Sequence, residues 1–237
     1  MAISELQLPA SVTMHSLADG KALAATLAHD VAERLRQAIV DKGQACLVLS
    51  GGRSPVPFLE KLAGEALDWS KVTVSLADER WVPVEHADSN AGLLVRHLFK
   101  GPAAKARFVG LYHCAESLDA AAVLADQALA ALPPIDVLVL GMGDDGHTAS
   151  LFPASPNLPE GLDLRSTHRC LPMLAPSVPR QRLSMTRALL ASAGFTALSV
   201  QGLGKLATLR AALAAAEPTE MPIRAFLHDP LDIYWCP

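Results

Sequence analysis

The sequence predicts an α/β fold, a mostly parallel sheet flanked by helices, Rossmann-like, with a smaller C-terminal or lid portion. Three observations carry that expectation. Short apolar runs, such as residues 72–77 and 135–140, alternate with longer amphipathic stretches, the pattern of βαβ units. Glycine and proline punctuate the joints between them. Polar segments follow three of the apolar runs directly, at 51–54, 78–80 and 141–147. In parallel sheets ligands bind outside the carboxyl ends of the strands, so chain topology alone makes these segments candidates for one shared site.

The elements follow in order. Leu23, Leu27, Val31 and Leu35 recur at fourfold spacing and mark one face of a helix over residues 22–40, with Asp19 as its N-cap and Gly43 as its stop. Residues 45–50 read as a strand ending at Gly51-Gly52, and a helix is expected after Pro55, which suits a first helical turn. Residues 72–77 read as a buried strand, with Asp78-Glu79-Arg80 at its end. A polar loop then leads to a helix from about Asp88-Ser89-Asn90 to Phe99. A strand at 108–111, a helix over 118–132 and a strong strand at 135–140 complete the first half. The stretch 153–179 holds six prolines and is expected to be a folded loop region with one strand near 168–174. Beyond it come a strand at 182–185, a helix capped by Thr186, a strand at 195–201, a helix at 205–216 and a final strand at 231–235. No repeat, low-complexity linker or composition break divides the chain, so residues 1–237 are expected to form a single α/β domain.

Composition narrows the function. With 51% hydrophobic and 19% charged residues the chain is globular, and at 237 residues it has size enough for a core without disulfides or metal. A net charge of −4 argues against a general nucleic-acid binder. Cys46, Cys114, Cys170 and Cys236 are widely spaced, form no CxxC pair and accompany no His/Cys cluster of zinc-site spacing, so reduced thiols and no metal are expected. The N-terminus lacks a basic-then-apolar leader and the apolar stretches are too short to span a bilayer, which implies a soluble cytoplasmic protein with no membrane partner.

The chemistry concentrates in a few segments. Ser50-Gly51-Gly52-Arg53-Ser54 joins a strand to a helix. Its glycines let the backbone approach an anion, and the following helix presents free N–H groups, so it reads as a phosphate or oxyanion cradle or as a plain tight turn. It is neither a Walker A loop nor a GxGxxG fingerprint. In Gly141-Met142-Gly143-Asp144-Asp145-Gly146-His147-Thr148 a histidine emerges beside two carboxylates at a strand end. An imidazole titrates near neutrality and a carboxylate can orient it, so His147 is the candidate general base and Asp145 its orienting partner. Asp78 and Arg80 are placed to bind sugar hydroxyls or to pair with each other. Arg180, Arg182 and Arg187 form a basic group, of which Arg180 and Arg187 read as surface charges, and Lys205 follows Gly202-Leu203-Gly204. There is no GxSxG nucleophile elbow.

Taken together these segments resemble the 6-phosphogluconolactonase family. The resemblance lies in Leu49-Ser-Gly-Gly-Arg-Ser-Pro55, Asp78-Glu-Arg-Trp-Val-Pro83 with Ser89-Asn90, Gly141-Met-Gly-Asp-Asp-Gly-His-Thr-Ala-Ser-Leu-Phe-Pro153, Arg182-Leu-Ser-Met-Thr186 and Gly202-Leu-Gly-Lys205. It covers nearly the whole chain. The long glycine–histidine segment is the specific part, and Leu183-Ser184 stands where the family pattern has Ile-Thr. The resemblance implies a fold like that of glucosamine-6-phosphate deaminase and ribose-5-phosphate isomerase. It also implies hydrolysis of 6-phospho-D-glucono-1,5-lactone to 6-phosphogluconate in the oxidative pentose phosphate pathway, without metal or organic cofactor and without an obligate protein partner. On that reading Arg182 and Lys205 take the 6-phosphate. Arg53 and the amides of Ser50, Gly51 and Gly52 hold negative charge or position the substrate, and Asp78 and Arg80 serve the sugar. The rival expectations are a sugar-phosphate isomerase or deaminase on the same scaffold and a noncatalytic sugar-phosphate sensor.

Overall fold

The computed structural model describes residues 6–52 and 54–237. Its strands are β1 (Val12–Ser16), β2 (Ala45–Leu49), β3 (Val72–Leu76), β4 (Asp78–Arg80), β5 (Arg107–Val109), β6 (Val137–Leu140), β7 (Cys170–Leu174), β8 (Gln181–Met185), β9 (Phe195–Gln201) and β10 (Leu231–Cys236). Its α-helices are α1 (Gly20–Lys42), α2 (Val56–Ala63), α3 (Asn90–His97), α4 (Leu118–Leu129), α5 (Leu158–Leu162), α6 (Arg187–Leu190) and α7 (Leu203–Ala214).

Seven strands form a parallel sheet in the order β1-β10-β9-β6-β2-β3-β5. β2, β3 and β6 are buried along their whole length, which is why they read as unbroken apolar runs: helices cover both faces. From β2 the chain moves outward through β3 to β5. It then returns to β6 on the other side of β2 and moves away through β9 to β10. The loops leaving β2 and β6 therefore diverge and open a crevice at their carboxyl ends, the topological switch point.

The helices follow the local signals. Asp19 accepts a hydrogen bond from the Ala22 amide at 2.8 Å, and Gly43 ends α1 at φ 77°. Ser89, Ser117 and Thr186 cap α3, α4 and α6 in the same way. Leu23, Leu27, Val31 and Leu35 are fully buried against the sheet.

The smaller portion is a three-stranded antiparallel sheet, β4-β8-β7, built from the middle of the chain, while the C-terminal strand β10 lies inside the large sheet. Asp78–Arg80, read as the polar end of the preceding strand, is a strand of its own, paired with β8 about a hundred residues later. The sequence reading also omitted β1, an edge strand with a half-exposed pattern, and α5 within the proline-rich stretch.

Cys46 and Cys170 sit in this core. Burial pushes the Cys46 thiol up to about 12 and raises that of Cys170 as well, whereas Cys114 is exposed. A thiol-alkylating reagent applied to the native protein at pH 8 should therefore modify Cys114 within minutes and reach Cys46 and Cys170 only after denaturation, as peptide mass mapping would show.

Candidate active site

A cavity of about 240 Å³ opens at the carboxyl ends of β2, β6 and β9, and its wall includes Gly51, Asp78, Arg80, His147, Arg182 and Lys205. The structure therefore gathers Ser50, Gly51, Gly52, Asp78, Arg80, His147, Arg182 and Lys205 around one space. Asp145 stands behind His147, and Arg53 lies outside the described residues.

The histidine loop leaves β6 at Gly141. Gly143 donates to the His147 carbonyl at 2.9 Å, and Thr148 Oγ1 donates to the Gly141 carbonyl at 2.8 Å, closing the loop on itself. Asp145 Oδ1 accepts the His147 amide at 3.1 Å and lies 2.5 Å from His147 Nδ1. Gly143 is required here: a Cβ on it would stand 2.1 Å from His147 Nδ1 and 2.6 Å from Asp145 Oδ1. Burial pushes the Asp145 carboxyl up, but the hydrogen bonds and charge of His147 outweigh it and hold the group below its ordinary value. An ionised Asp145 accepts a hydrogen bond from Nδ1–H, which leaves Nε2 as the unprotonated, basic nitrogen. The imidazole packs on Phe152 with ring centroids 4.2 Å apart.

The same Phe152 ring carries Arg182, whose guanidinium carbon lies 5.6 Å from its centroid. Arg182 is 7% exposed, donates from Nε to the Pro179 carbonyl at 2.8 Å and forms no ion pair among the described residues. Burial lowers its pKa, Asp78 offsets part of this, and Arg80 lowers it further. Arg80 faces Arg182 directly across the β4–β8 ladder. Like charges at paired register repel. Arg80 has its own tie, from Nη1 to the Asp88 carbonyl at 2.6 Å, while its buried Nε has no partner among the described residues. Two guanidiniums held side by side at a cavity wall make a site for an anion.

Asp78 and Arg80 do not pair with each other. Asp78 accepts from Ser150 Oγ at 2.6 Å, and Asn90 Nδ2 donates to its carbonyl at 2.9 Å. These bonds join β4, the loop after β6 and the start of α3. Asn90 also packs so closely on Gly51 that a Cβ there would meet its Oδ1 at 1.9 Å. Beneath them Glu79, fully buried, accepts from the amides of Arg80, Asn90 and Ala91, each at 2.7 Å. Burial pushes its carboxyl up, and those amides pull it partly back. Across the crevice Lys205, in the first turn of α7, donates to the Met142 carbonyl at 2.9 Å and to Asp144 Oδ1 at 2.5 Å.

Of the basic group read from sequence, only Arg182 reaches the cavity. Arg180 is exposed, and Arg187 is tied to the Ala225 carbonyl and to Asp229. Sequence reasoning missed Asn90, Gln201 and Ser199 as lining residues. The Ser89-Asn90 helix start was the available signal for the first, while Ser199 and Gln201 are ordinary strand residues until the sheet is assembled. Among the described residues no group of three or more His, Cys, Asp or Glu side chains is gathered as for a metal ion, and no helix is long and apolar enough to cross a membrane.

The family described as glucosamine-6-phosphate isomerases/6-phosphogluconolactonase matches residues 18–235. A 6-phosphogluconolactonase of Pseudomonas putida is 83% identical over 237 residues, spanning 100% of this chain and 98% of that protein. One of Pseudomonas aeruginosa is 63% identical over 238 residues and spans 100% of both. The crystal structure of a 6-phosphogluconolactonase from Shewanella baltica has a TM-score of 0.93 at 34% identity, covering 97% of this chain and 100% of that one.

The depressed Asp145 pKa has a sign. The group binds fewer protons folded than unfolded near its titration, so its stabilisation is present above the unfolded value, about 3.9, and is lost as pH falls through the folded one. Asp145→Asn should therefore cost some stability at pH 7, less than about 1 kcal/mol for a pair this exposed. That deficit should shrink progressively as pH falls below about 3.9 and through the lowered folded value, as urea unfolding across a pH series would measure.

Proposed function

The chain belongs to the 6-phosphogluconolactonase family, and from that premise we propose that it hydrolyses 6-phospho-D-glucono-1,5-lactone to 6-phosphogluconate with His147 activating the attacking water. The observation that carries this reading is His147, held at Nδ1 by Asp145, on the wall of a cavity it shares with Arg182 and Lys205.

The chemistry needs few parts. Water is a poor nucleophile toward an ester carbon, so a base must take its proton as the new C–O bond forms. His147 Nε2 supplies that base, a contribution of about 10²–10⁴-fold in rate. Asp145 positions the ring and balances the imidazolium that results. Negative charge then gathers on the former carbonyl oxygen, where the backbone amides near Gly51-Gly52 and Arg53 are assigned to receive it. Collapse breaks the bond from the acyl carbon to the ring oxygen, and the imidazolium returns its proton to that oxygen. The product carboxylic acid ionises to solvent.

Arg182 and Lys205 are assigned to the 6-phosphate. Arg80, facing Arg182, joins them on electrostatic grounds, because a dianion relieves the repulsion between the two guanidiniums. Asp78, fixed by Ser150 and Asn90, is left as an acceptor for sugar hydroxyls. We further assign the enzyme to the cytoplasm and to the oxidative pentose phosphate pathway.

The direct test generates the phospholactone in situ with glucose-6-phosphate dehydrogenase and follows its disappearance with and without the protein, after subtracting spontaneous hydrolysis. Acceleration by the wild-type chain is expected, with no ammonia released from glucosamine 6-phosphate. His147→Gln should fold normally and lose about 10²-fold or more of kcat; turnover near the wild-type value would reject His147 as the base. Arg182→Gln and Lys205→Gln should each cost about ten- to a hundredfold in preference for the phosphorylated lactone over glucono-1,5-lactone. An unchanged preference would reassign the phosphate subsite.

A further inference from the structure

Resting on the reading of Lys205 as a phosphate ligand, we propose that Asp144 is a built-in competitor for that phosphate: its carboxylate occupies Lys205 in the free enzyme, is displaced by the substrate's dianion, and recaptures the ammonium as product leaves.

Asp144 Oδ1 lies 2.5 Å from Lys205 Nζ, yet the Asp144 side chain is 90% exposed while that of Lys205 is 24% exposed. The aspartate thus reaches in from solvent to a lysine that is fixed from below by the Met142 carbonyl. Asp144 has no part in orienting the imidazole, a task that belongs to Asp145. It lines none of the cavity, whereas Lys205 does. The first turn of α7 holds no acidic residue and its N-cap, Gly202, offers no side-chain acceptor, so the positive end of the helix adds to the charge of Lys205. Arg80 and Arg182, by contrast, donate to the Asp88 and Pro179 carbonyls and form no ion pair among the described residues. Of the cations assigned to phosphate among the described residues, Lys205 is the one already paired.

Energetics set the direction. A half-exposed ion pair is weak, worth about 1.5- to fivefold in an equilibrium constant. A phosphate monoester carries close to two charges and three acceptor oxygens, so it displaces a lone carboxylate readily. The competitor therefore lowers affinity modestly for anything phosphorylated at this position, product included, and leaves the reacting end of the substrate alone.

Asp144→Asn and Asp144→Ala remove the competitor at an exposed position. Binding of inorganic phosphate is read by ³¹P line broadening, and turnover by the coupled lactone assay. Both variants should lower the Kd for inorganic phosphate and the KM for the phospholactone by about two- to fivefold. Preference over glucono-1,5-lactone should rise by the same factor. In a Lys205→Gln background the same substitutions should change neither constant. An unchanged or raised Kd in the single variants would overturn the proposal, the latter because the carboxylate would then be holding Lys205 in place for its ligand. The same gain in the Lys205→Gln background would overturn it too, as a general field effect. A wild-type chain that binds phosphate without turning over the lactone counts against the proposed function alone, whereas an active enzyme indifferent to Asp144 counts against this inference alone.

Discussion

Ala77 joins the two sheets. Its amide donates to the Leu49 carbonyl at the end of β2, and its carbonyl accepts from Met185 at the end of β8, each at 2.8 Å. Between β3 and β4 there is no other residue, so the chain passes from the large parallel sheet into the small antiparallel one within a single fully buried position. That hand-over fixes where everything polar falls. Asp78 and Arg80 project from β4 over the carboxyl ends of β2 and β6, and β8 brings Arg182 beside them in register. The histidine loop, leaving β6, meets the same space and is tied to it when Ser150 reaches Asp78. A larger side chain at residue 77 would wedge the sheets apart and move all of these groups at once.

The site is electrostatically strained by design of its own neighbours. Arg80 and Arg182 face each other, burial lowers the Arg182 pKa, and the Arg80 Nε is shut from solvent with no partner among the described residues. Protein carboxylates offset only part of this tension: Asp78 and Glu79 raise the Arg182 pKa, but Asp78 accepts from Ser150, Glu79 from backbone amides, and Asp145 lies against His147. On the proposed reading an incoming dianion supplies the remaining negative charge. The Asp144–Lys205 pair stands at the opposite side of the same balance, where a carboxylate does fill the place.

Much of this was legible in the sequence because the signals are local. The α1 face and its two caps, the apolar runs of β2, β3 and β6, and the glycine–histidine loop each declare themselves within a few residues. What escaped reading is long-range. β4 has three residues and becomes a strand only through β8, and β1 pairs with β10 at the far end of the chain. The Ser150–Asp78 bond spans 72 positions and the Lys205–Asp144 bond 61, so neither has a sequence signature. Arg187 reads as a surface charge in the sequence, but it begins α6 and is half-buried against Asp229, a partner 42 residues away.

The proposed function requires one orientation of the ligand, with its anionic end at Arg182 and Lys205 and its acyl end at His147. A crystal structure of the protein with bound 6-phosphogluconate measures this directly. The phosphate should lie within hydrogen-bond distance of the Arg182 guanidinium and Lys205 Nζ, and the carboxylate within reach of His147 Nε2, directly or through one water. A phosphate lodged against His147, or a product seated outside this cavity, would contradict it.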